Sequence, residues 1–146
     1  MSRIIALDVG DKRIGVALSD PLGLTAEPLT VITRTAGIKA DLRAVEELLH
    51  KYEVSKIVIG MPVMLAGEEG VQAGKVRKFV ERLSRRVRIP VETWDERLST
   101  VEAERLLLEA GESRSKRKQN IDKIAAAIIL QGYLAANAER NDSESG

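Results

Sequence analysis

The sequence contains no cysteine and a single histidine, His50, which excludes disulfide bonds, thiolate zinc sites and multi-histidine metal sites. Any bound metal would therefore be held by carboxylates, whose hard oxygen atoms favour Mg²⁺ or Mn²⁺. Aromatic residues make up only 3% of the chain, which argues against recognition of single strands by base stacking. No apolar run approaches the ~18 residues of a membrane span. The N-terminus enters a strand pattern directly, so we expect a cytoplasmic protein with no signal peptide and no membrane partner.

The composition is that of a globular domain. The chain has 146 residues, of which 44% are hydrophobic and 31% charged, enough for one domain with a substantial core. Residues 139–146 contain no apolar side chain, so we expect a disordered tail after a domain that spans residues 1–138. That tail carries a net charge of −2, and the chain as a whole +1, which leaves +3 on the domain. A mildly basic domain is compatible with a nucleic-acid partner but does not require one.

The spacing of apolar residues predicts the element order βββαβαβαα. Three antiparallel strands followed by two βα crossovers give an α/β fold, a mixed five-stranded sheet with helices on both faces. The predicted strands are 3–9, 13–20, 28–34, 55–61 and 90–95. The predicted helices are 39–52, 71–87 and 121–136, with a further helix between the last strand and residue 121. That helix begins at a capping box formed by Ser99 and Glu102 and ends at Gly111.

Basic residues are concentrated in three places. Lys12 and Arg13 follow Asp8 in the first hairpin, and the predicted loop 112–118 lies just before Asp122. Both groups are candidates for contacts with a phosphate backbone, although the loop is equally explained as a solvated linker. The polar face of the second helix is also basic, and we interpret it as a solvated surface that is partly paired with Glu81. The loop residues concerned are Arg114, Lys116, Arg117 and Lys118, and those of the helix are Lys75, Arg77, Lys78, Arg82, Arg85 and Arg86.

Acidic residues stand at the ends of the predicted strands and at the start of the last helix. Asp8 ends an apolar strand, where a buried carboxylate needs a cation or hydrogen bonds. Asp95 and Glu96 end the last strand, and Asp122 lies in the first turn of the last predicted helix. If this topology brings the three positions to one edge, their carboxylates would form a two-metal site for phosphoryl transfer.

Each acid also has a simpler explanation. Asp8 could cap the turn at Gly10, and Asp122 could favour the positive end of its helix. Asp95 and Glu96 could be solvent-exposed strand ends, with Arg97 as their salt-bridge partner. The pattern around Asp8 is also similar to the phosphate hairpin of actin-like ATPases, but those proteins need two such lobes to close on a nucleotide.

A set of motifs extends from the first strand to the last helix and resembles the YqgF/RuvX family. In chain order they are Asp8-Val-Gly, Lys12-Arg13-Ile14-Gly15-Val16-Ala17, Ser19-Asp20, Gly60-Met61-Pro62, Asp95-Glu96-Arg97-Leu98-Ser99-Thr100, and Ile121-Asp122 with Ala125-Ala126 and Ile129-Leu130-Gln131. The resemblance covers nearly the whole chain apart from the tail. One stretch departs from it: residues 63–66 are apolar where similar proteins have polar residues, so substrate contacts differ there or the loop binds a partner.

The resemblance implies an RNase H-like fold and a metal-dependent nuclease. The family is described either as a Holliday junction resolvase or as the enzyme that matures the 5′ end of pre-16S ribosomal RNA. By position, Asp8, Glu96 and Asp122 match the acidic residues regarded as catalytic and metal-binding, with Asp95 as an alternative to Glu96. Lys12, Arg13, Arg97 and the 114–118 loop would contact nucleic acid. A non-catalytic RNA-binding module of ribosome assembly is the remaining alternative, and the chain would be a monomer or weak homodimer.

Overall fold

The computed structural model describes residues 3–35, 37–62, 70–95 and 114–145, and its elements follow the predicted order closely. The strands are β1 Arg3–Val9, β2 Arg13–Ser19, β3 Ala26–Thr33, β4 Val54–Met61 and β5 Val91–Asp95, and the helices are α1 Ile38–Lys51, α2 Val71–Arg86 and α3 Arg114–Ser145. The helix predicted to start at the capping box lies outside the described residues, as does the apolar loop 63–66.

The sheet has the strand order β3-β2-β1-β4-β5. β1 pairs antiparallel with β2, and β2 pairs antiparallel with β3, whereas β4 runs parallel to both β1 and β5. This confirms the predicted mixed sheet of three antiparallel strands followed by two parallel crossovers. In the described segments, no helix has the length and apolar character needed to cross a membrane.

The two faces of the sheet are packed differently. On one face, Ile5, Leu7 and Val9 of β1 pack under α1 and α2, which we call the α1–α2 face. On the opposite face, the α3 face, Ala6 and Ala17 lie under the buried residues of α3. Small side chains on that face allow the helix to approach the strands closely. Helices therefore cover both faces, as predicted.

Helix α3 is longer than the predicted helix 121–136 at both ends. It begins at Arg114, so the basic segment expected as a loop is helical, and the backbone of residues 139–145, expected as a disordered tail, is also helical. No glycine or proline lies between residues 112 and 131, and Arg, Lys and Gln are good helix formers. Nothing in this segment therefore stops the helix, and its polarity alone led to the prediction of a loop.

The turn after β2 explains one of the family motifs in structural terms. The Asp20 carboxylate accepts hydrogen bonds from the backbone N–H groups of Leu24 (2.7 Å) and Thr25 (2.8 Å). The bond from Thr25 is the main cause of the lowered pKa of Asp20. Ser19 Oγ accepts a hydrogen bond from the Ile4 backbone N–H at 2.9 Å. The Ser19-Asp20 pair therefore fixes β2 to β1 and closes the β2–β3 turn.

Arg34 holds the tip of the β1–β2 hairpin, a role that the sequence did not indicate. Its Nε donates to Oδ2 of Asp41 at 2.8 Å, and its Nη1 donates to the Gly10 carbonyl at 2.6 Å. Its guanidinium carbon also lies 5.6 Å from the centroid of the Phe79 ring. The Asp41 side chain is only 4% exposed, so its charge depends on Arg34.

We expect Arg34→Ala to lower the free energy of unfolding by about 2–3 kcal/mol, because it leaves the buried Asp41 carboxylate without its cation. Urea denaturation followed by circular dichroism measures this change. Arg85→Ala is the matched control, since Arg85 is 74% exposed in its pair with Glu81. That variant should change stability by less than about 0.5 kcal/mol. Equal effects of the two variants would refute a structural role for the Arg34–Asp41 pair.

Candidate active site

Asp8 lies near the carboxyl end of β1, on the α3 face of the sheet. Side chains alternate along a strand, so Asp8 shares its face with Ala6, which packs under α3. Its direct partner on β2 is Gly15, and the side chain is partly exposed. The carboxylate therefore stands at the edge of the covered region, where a solute can reach it.

Gly15 brings α3 into contact with the strand beside Asp8. A Cβ atom at Gly15 would lie 1.9 Å from the carbonyl oxygen of Asp122 and 2.8 Å from the backbone nitrogen of Lys123. Only glycine leaves room for this contact. Because Gly15 and Asp8 are cross-strand partners, the contact places Asp122 over the strand position next to Asp8.

The Asp122 carboxylate is bound by Arg13, the first residue of β2. Arg13 Nε donates to Asp122 Oδ2 at 2.7 Å, with the two side chains 46% and 23% exposed. The prediction that Asp122 lies in the first turn of its helix is wrong, because α3 begins eight residues earlier at Arg114. The helix dipole acts mainly within the first turn, so it does not account for this carboxylate.

The packing of β5 shows which face of the sheet Asp95 occupies. Trp94 packs on the α3 face, while Val91 packs against the core of the α1–α2 face. Strand alternation therefore places Asp95, which pairs with Met61, on the α1–α2 face, opposite to Asp8. Glu96 lies outside the described residues, as does Arg97, so the third carboxylate stays a prediction.

The described carboxylates have the right chemistry for a hard divalent cation, but there are too few of them to form a complete site. Asp8 and Asp122 supply oxygen atoms of the kind that Mg²⁺ and Mn²⁺ prefer. Among residues 3–35, 37–62, 70–95 and 114–145, no group of three or more His, Cys, Asp or Glu side chains could hold a metal ion. With Glu96 as a third ligand, the donor set would match the prediction. Arg13 partly neutralises the charge of Asp122.

Lys12 and Arg13, which are predicted to contact phosphates, lie at the tip of the β1–β2 hairpin. The Gly10 backbone N–H donates to the Arg13 carbonyl at 2.9 Å, and the Arg34 backbone N–H donates to the Lys12 carbonyl at 2.8 Å. Lys12 is exposed beside this ordered turn. The backbone of the predicted basic loop forms the first turns of α3, so Arg114, Lys116, Arg117 and Lys118 lie on the same helix as Asp122.

A polar network that the sequence did not reveal joins α3 to β4 and β5. The Tyr133 hydroxyl donates to Glu92 Oε2 at 2.7 Å and accepts from Lys56 Nζ at 2.9 Å. This bond to Tyr133 is the main cause of the raised pKa of Lys56. The Trp94 and Tyr133 rings meet edge to face at 5.6 Å, which fixes β5 against α3 two residues before Glu96.

The mixed sheet with helices on both faces has the RNase H-like fold. Thermus thermophilus RuvC in complex with a Holliday junction superposes with a TM-score of 0.61 over 95% of this chain and 97% of that chain, at 16% identity. A second T. thermophilus RuvC structure gives a TM-score of 0.54 over 94% and 96% of the two chains, at 15% identity. At these identities the likeness concerns the fold alone.

Residues 2–136 match the family model described as "RuvX: Holliday junction resolvase", and the chain belongs to this family. A protein of Desulforamulus reducens named "Putative pre-16S rRNA nuclease" is 52% identical over 94% of this chain and 99% of its own length. A protein of the same name from Halothermothrix orenii is 54% identical over 90% of this chain and 94% of its own. The predicted family is thereby confirmed.

Proposed function

We propose that this protein hydrolyses phosphodiester bonds in the 5′ region of pre-16S ribosomal RNA. Membership of the RuvX family supports a nuclease, and relatives at about half identity carry the name of a pre-16S rRNA nuclease. The observation that carries the proposal is the contact of Gly15, the cross-strand partner of Asp8, with the peptide of Asp122, which lies 114 positions beyond Asp8 in the chain. We further propose a cytoplasmic enzyme that acts as a monomer or weak homodimer.

The proposed ligands of a Mg²⁺ or Mn²⁺ ion are Asp8, Asp122 and Glu96. A divalent cation at such a site lowers the pKa of bound water and neutralises charge on the reacting phosphate. The protein contributes the arrangement of the ligands. Gly15 lets α3 approach β2, and Arg13 orients the Asp122 carboxylate through its Nε. Lys12 and Arg13, both exposed, would contact backbone phosphates of the substrate.

The first test is a cleavage assay on 5′-extended 16S rRNA precursor with Mn²⁺ or with EDTA. A four-way DNA junction serves as the parallel substrate, because the matched family model is described as a Holliday junction resolvase. We expect metal-dependent shortening of the RNA and an intact junction. Cleavage of the junction alone would replace the RNA substrate with branched DNA. Binding of the RNA without cleavage of either substrate would support the non-catalytic module instead.

We expect Arg13→Gln to reduce cleavage of the RNA about 10- to 100-fold, the usual cost of losing a side chain that orients a metal ligand. Arg13→Lys should recover only part of the rate, since an ammonium group does not reproduce the planar guanidinium bond to Asp122. The half-exposed ion pair adds little to stability, so melting temperatures should stay within a few degrees.

The control for Arg13 is Arg85→Gln, which removes an exposed, ion-paired positive charge near the end of α2. Its cleavage rate should match that of the wild type within about twofold. A wild-type rate in Arg13→Gln would rule out the positioning role of this side chain.

A further inference from the structure

A cleft of about 410 Å³ lies on the α1–α2 face, beside the tip of the β1–β2 hairpin. It is bounded by the hairpin, the segment that leads into α1, the start of α1 and one face of α2 from Lys75 to Arg82. Its charged lining residues are Arg34, Lys75, Lys78, Arg82, Asp11 and Asp41. Four cations and two carboxylates give this lining a net charge of about +2, counted at neutral pH.

The two carboxylates of the cleft are already matched by two of its cations. Asp41 is held by Arg34 at 2.8 Å, and Asp11 by Lys75 at 3.0 Å. The second pair is more than half exposed on both sides, so Lys75 can exchange Asp11 for a stronger anionic partner at little cost.

The positive charge that remains in the cleft belongs to Lys78 and Arg82. Spacings of three and four residues place these two side chains on one face of α2 together with Lys75. In the part of the chain that the structure describes, neither Lys78 nor Arg82 makes an ion pair. Two adjacent cations without carboxylate partners repel each other and favour an anion between them.

The far end of α2 is different. Arg85 pairs with Glu81 at 2.6 Å, and Arg86 pairs with Glu46 of α1. The sequence-based interpretation of a solvated surface partly paired with Glu81 is therefore confirmed for this end. It does not describe the end at the hairpin, where the cations line a concave surface.

The cleft is attached to the hairpin that carries the candidate active site. Gln72 Nε2 donates to the Val9 carbonyl at 3.2 Å, and Arg34 Nη1 donates to the Gly10 carbonyl. Asp11, in the cleft, is three residues from Asp8, which corresponds to at most about 11 Å of extended chain. A nucleic-acid strand that crosses the hairpin tip would therefore reach both places within a few nucleotides.

We propose that this cleft binds backbone phosphates of the RNA strand that flanks the cleaved bond. The proposal rests on the nuclease function proposed above, and it adds a binding surface on the opposite face of the sheet. Lys78 and Arg82 supply the charges, and Lys75 joins them when it leaves Asp11. Contacts to phosphates suit a chain with 3% aromatic residues, which has few rings for base stacking.

The test measures RNA binding without cleavage, in protein that carries Asp8→Asn. Fluorescence anisotropy of a labelled 30-nucleotide single-stranded RNA is recorded between 50 and 200 mM KCl. The variant Lys78→Gln/Arg82→Gln is compared with Lys51→Gln/Arg85→Gln, which removes two exposed charges at the other ends of α1 and α2. Melting curves of both variants should lie within a few degrees of the parent.

Loss of two phosphate contacts should reduce the slope of log affinity against log salt by about 1.4, and lower the affinity about 20-fold near 0.1 M salt. In the control variant, the changes in slope and in affinity should each be less than half of those in Lys78→Gln/Arg82→Gln. Equal slopes and affinities in the two variants would overturn the proposal.

Cleavage gives a second, separate readout. In protein with Asp8 intact, Lys78→Gln/Arg82→Gln should raise KM for the 5′-extended precursor and leave kcat unchanged, as expected for a contact equal in ground and transition states. If the wild type cleaves no RNA, the proposed function fails, but the anisotropy comparison still decides whether the cleft binds RNA.

Discussion

Asp8→Asn should lower the rate of metal-dependent RNA cleavage by at least about 100-fold. Loss of a side chain that only orients a metal ligand costs about 10- to 100-fold, so loss of a ligand itself should cost more. Asn keeps the shape of the side chain but removes the charge that a divalent cation requires. In the absence of metal the variant should remain folded, because Asn has nearly the same size and shape as Asp.

Metal binding can be measured without cleavage. A cation that binds only the folded protein at 100 times its Kd stabilises it by about 2.7 kcal/mol, which should raise the melting temperature by several degrees. We expect Mn²⁺ to produce this shift in the wild type and not in Asp8→Asn. Glu81→Gln, which makes the same carboxylate-to-amide change on the exposed side of α2, should keep both the shift and the cleavage rate. An Asp8→Asn protein with the full shift and rate would refute the proposed metal site.

Among the substitutions Gly15→Ala, Gly74→Ala and Gly132→Ala, we expect Gly15→Ala to be the most destabilising. The new Cβ would lie 1.9 Å from a backbone oxygen, and no side-chain rotation relieves a clash with backbone. Helix α3 must move away from β2, which opens the packing of Ala17 and Ala126 on the α3 face. We expect a loss of about 3 kcal/mol, a fall of about 10 °C in melting temperature, and no cleavage.

Two other glycines are controls for this variant. A Cβ at Gly74, inside α2, meets nothing within 4 Å, so Gly74→Ala should raise stability by about 0.5–1 kcal/mol through helix propensity. A Cβ at Gly132, in α3, would lie 3.2 Å from Trp94 Nε1, a side chain that can shift slightly, so its effect should be intermediate. Calorimetry of the three variants tests this order, and a stable, active Gly15→Ala protein would contradict the close contact between α3 and β2.

The candidate site was only partly predictable from the sequence. Asp8 and Asp122 were candidates because one ends an apolar strand and the other lies at the start of an apolar helix, and the resemblance to a known family gave both a catalytic role. The sequence did not show how Asp122 is held, since Arg13 is 109 residues away from it. Nor did it distinguish Asp95 from Glu96, because that choice depends on which face of β5 packs on α3.

The sequence by itself determined the order of elements, the mixed sheet and the family, because local periodicity and short motifs specify strands, helices and turns. The tertiary structure alone decided where α3 begins and that Gly15 supports Asp122. It also decided that Arg34 neutralises a buried Asp41 and that Lys78 and Arg82 face a cleft. These features depend on contacts between elements that are far apart in the chain. The geometry of such contacts follows from how the helices pack on the sheet, and a local sequence pattern does not contain that information.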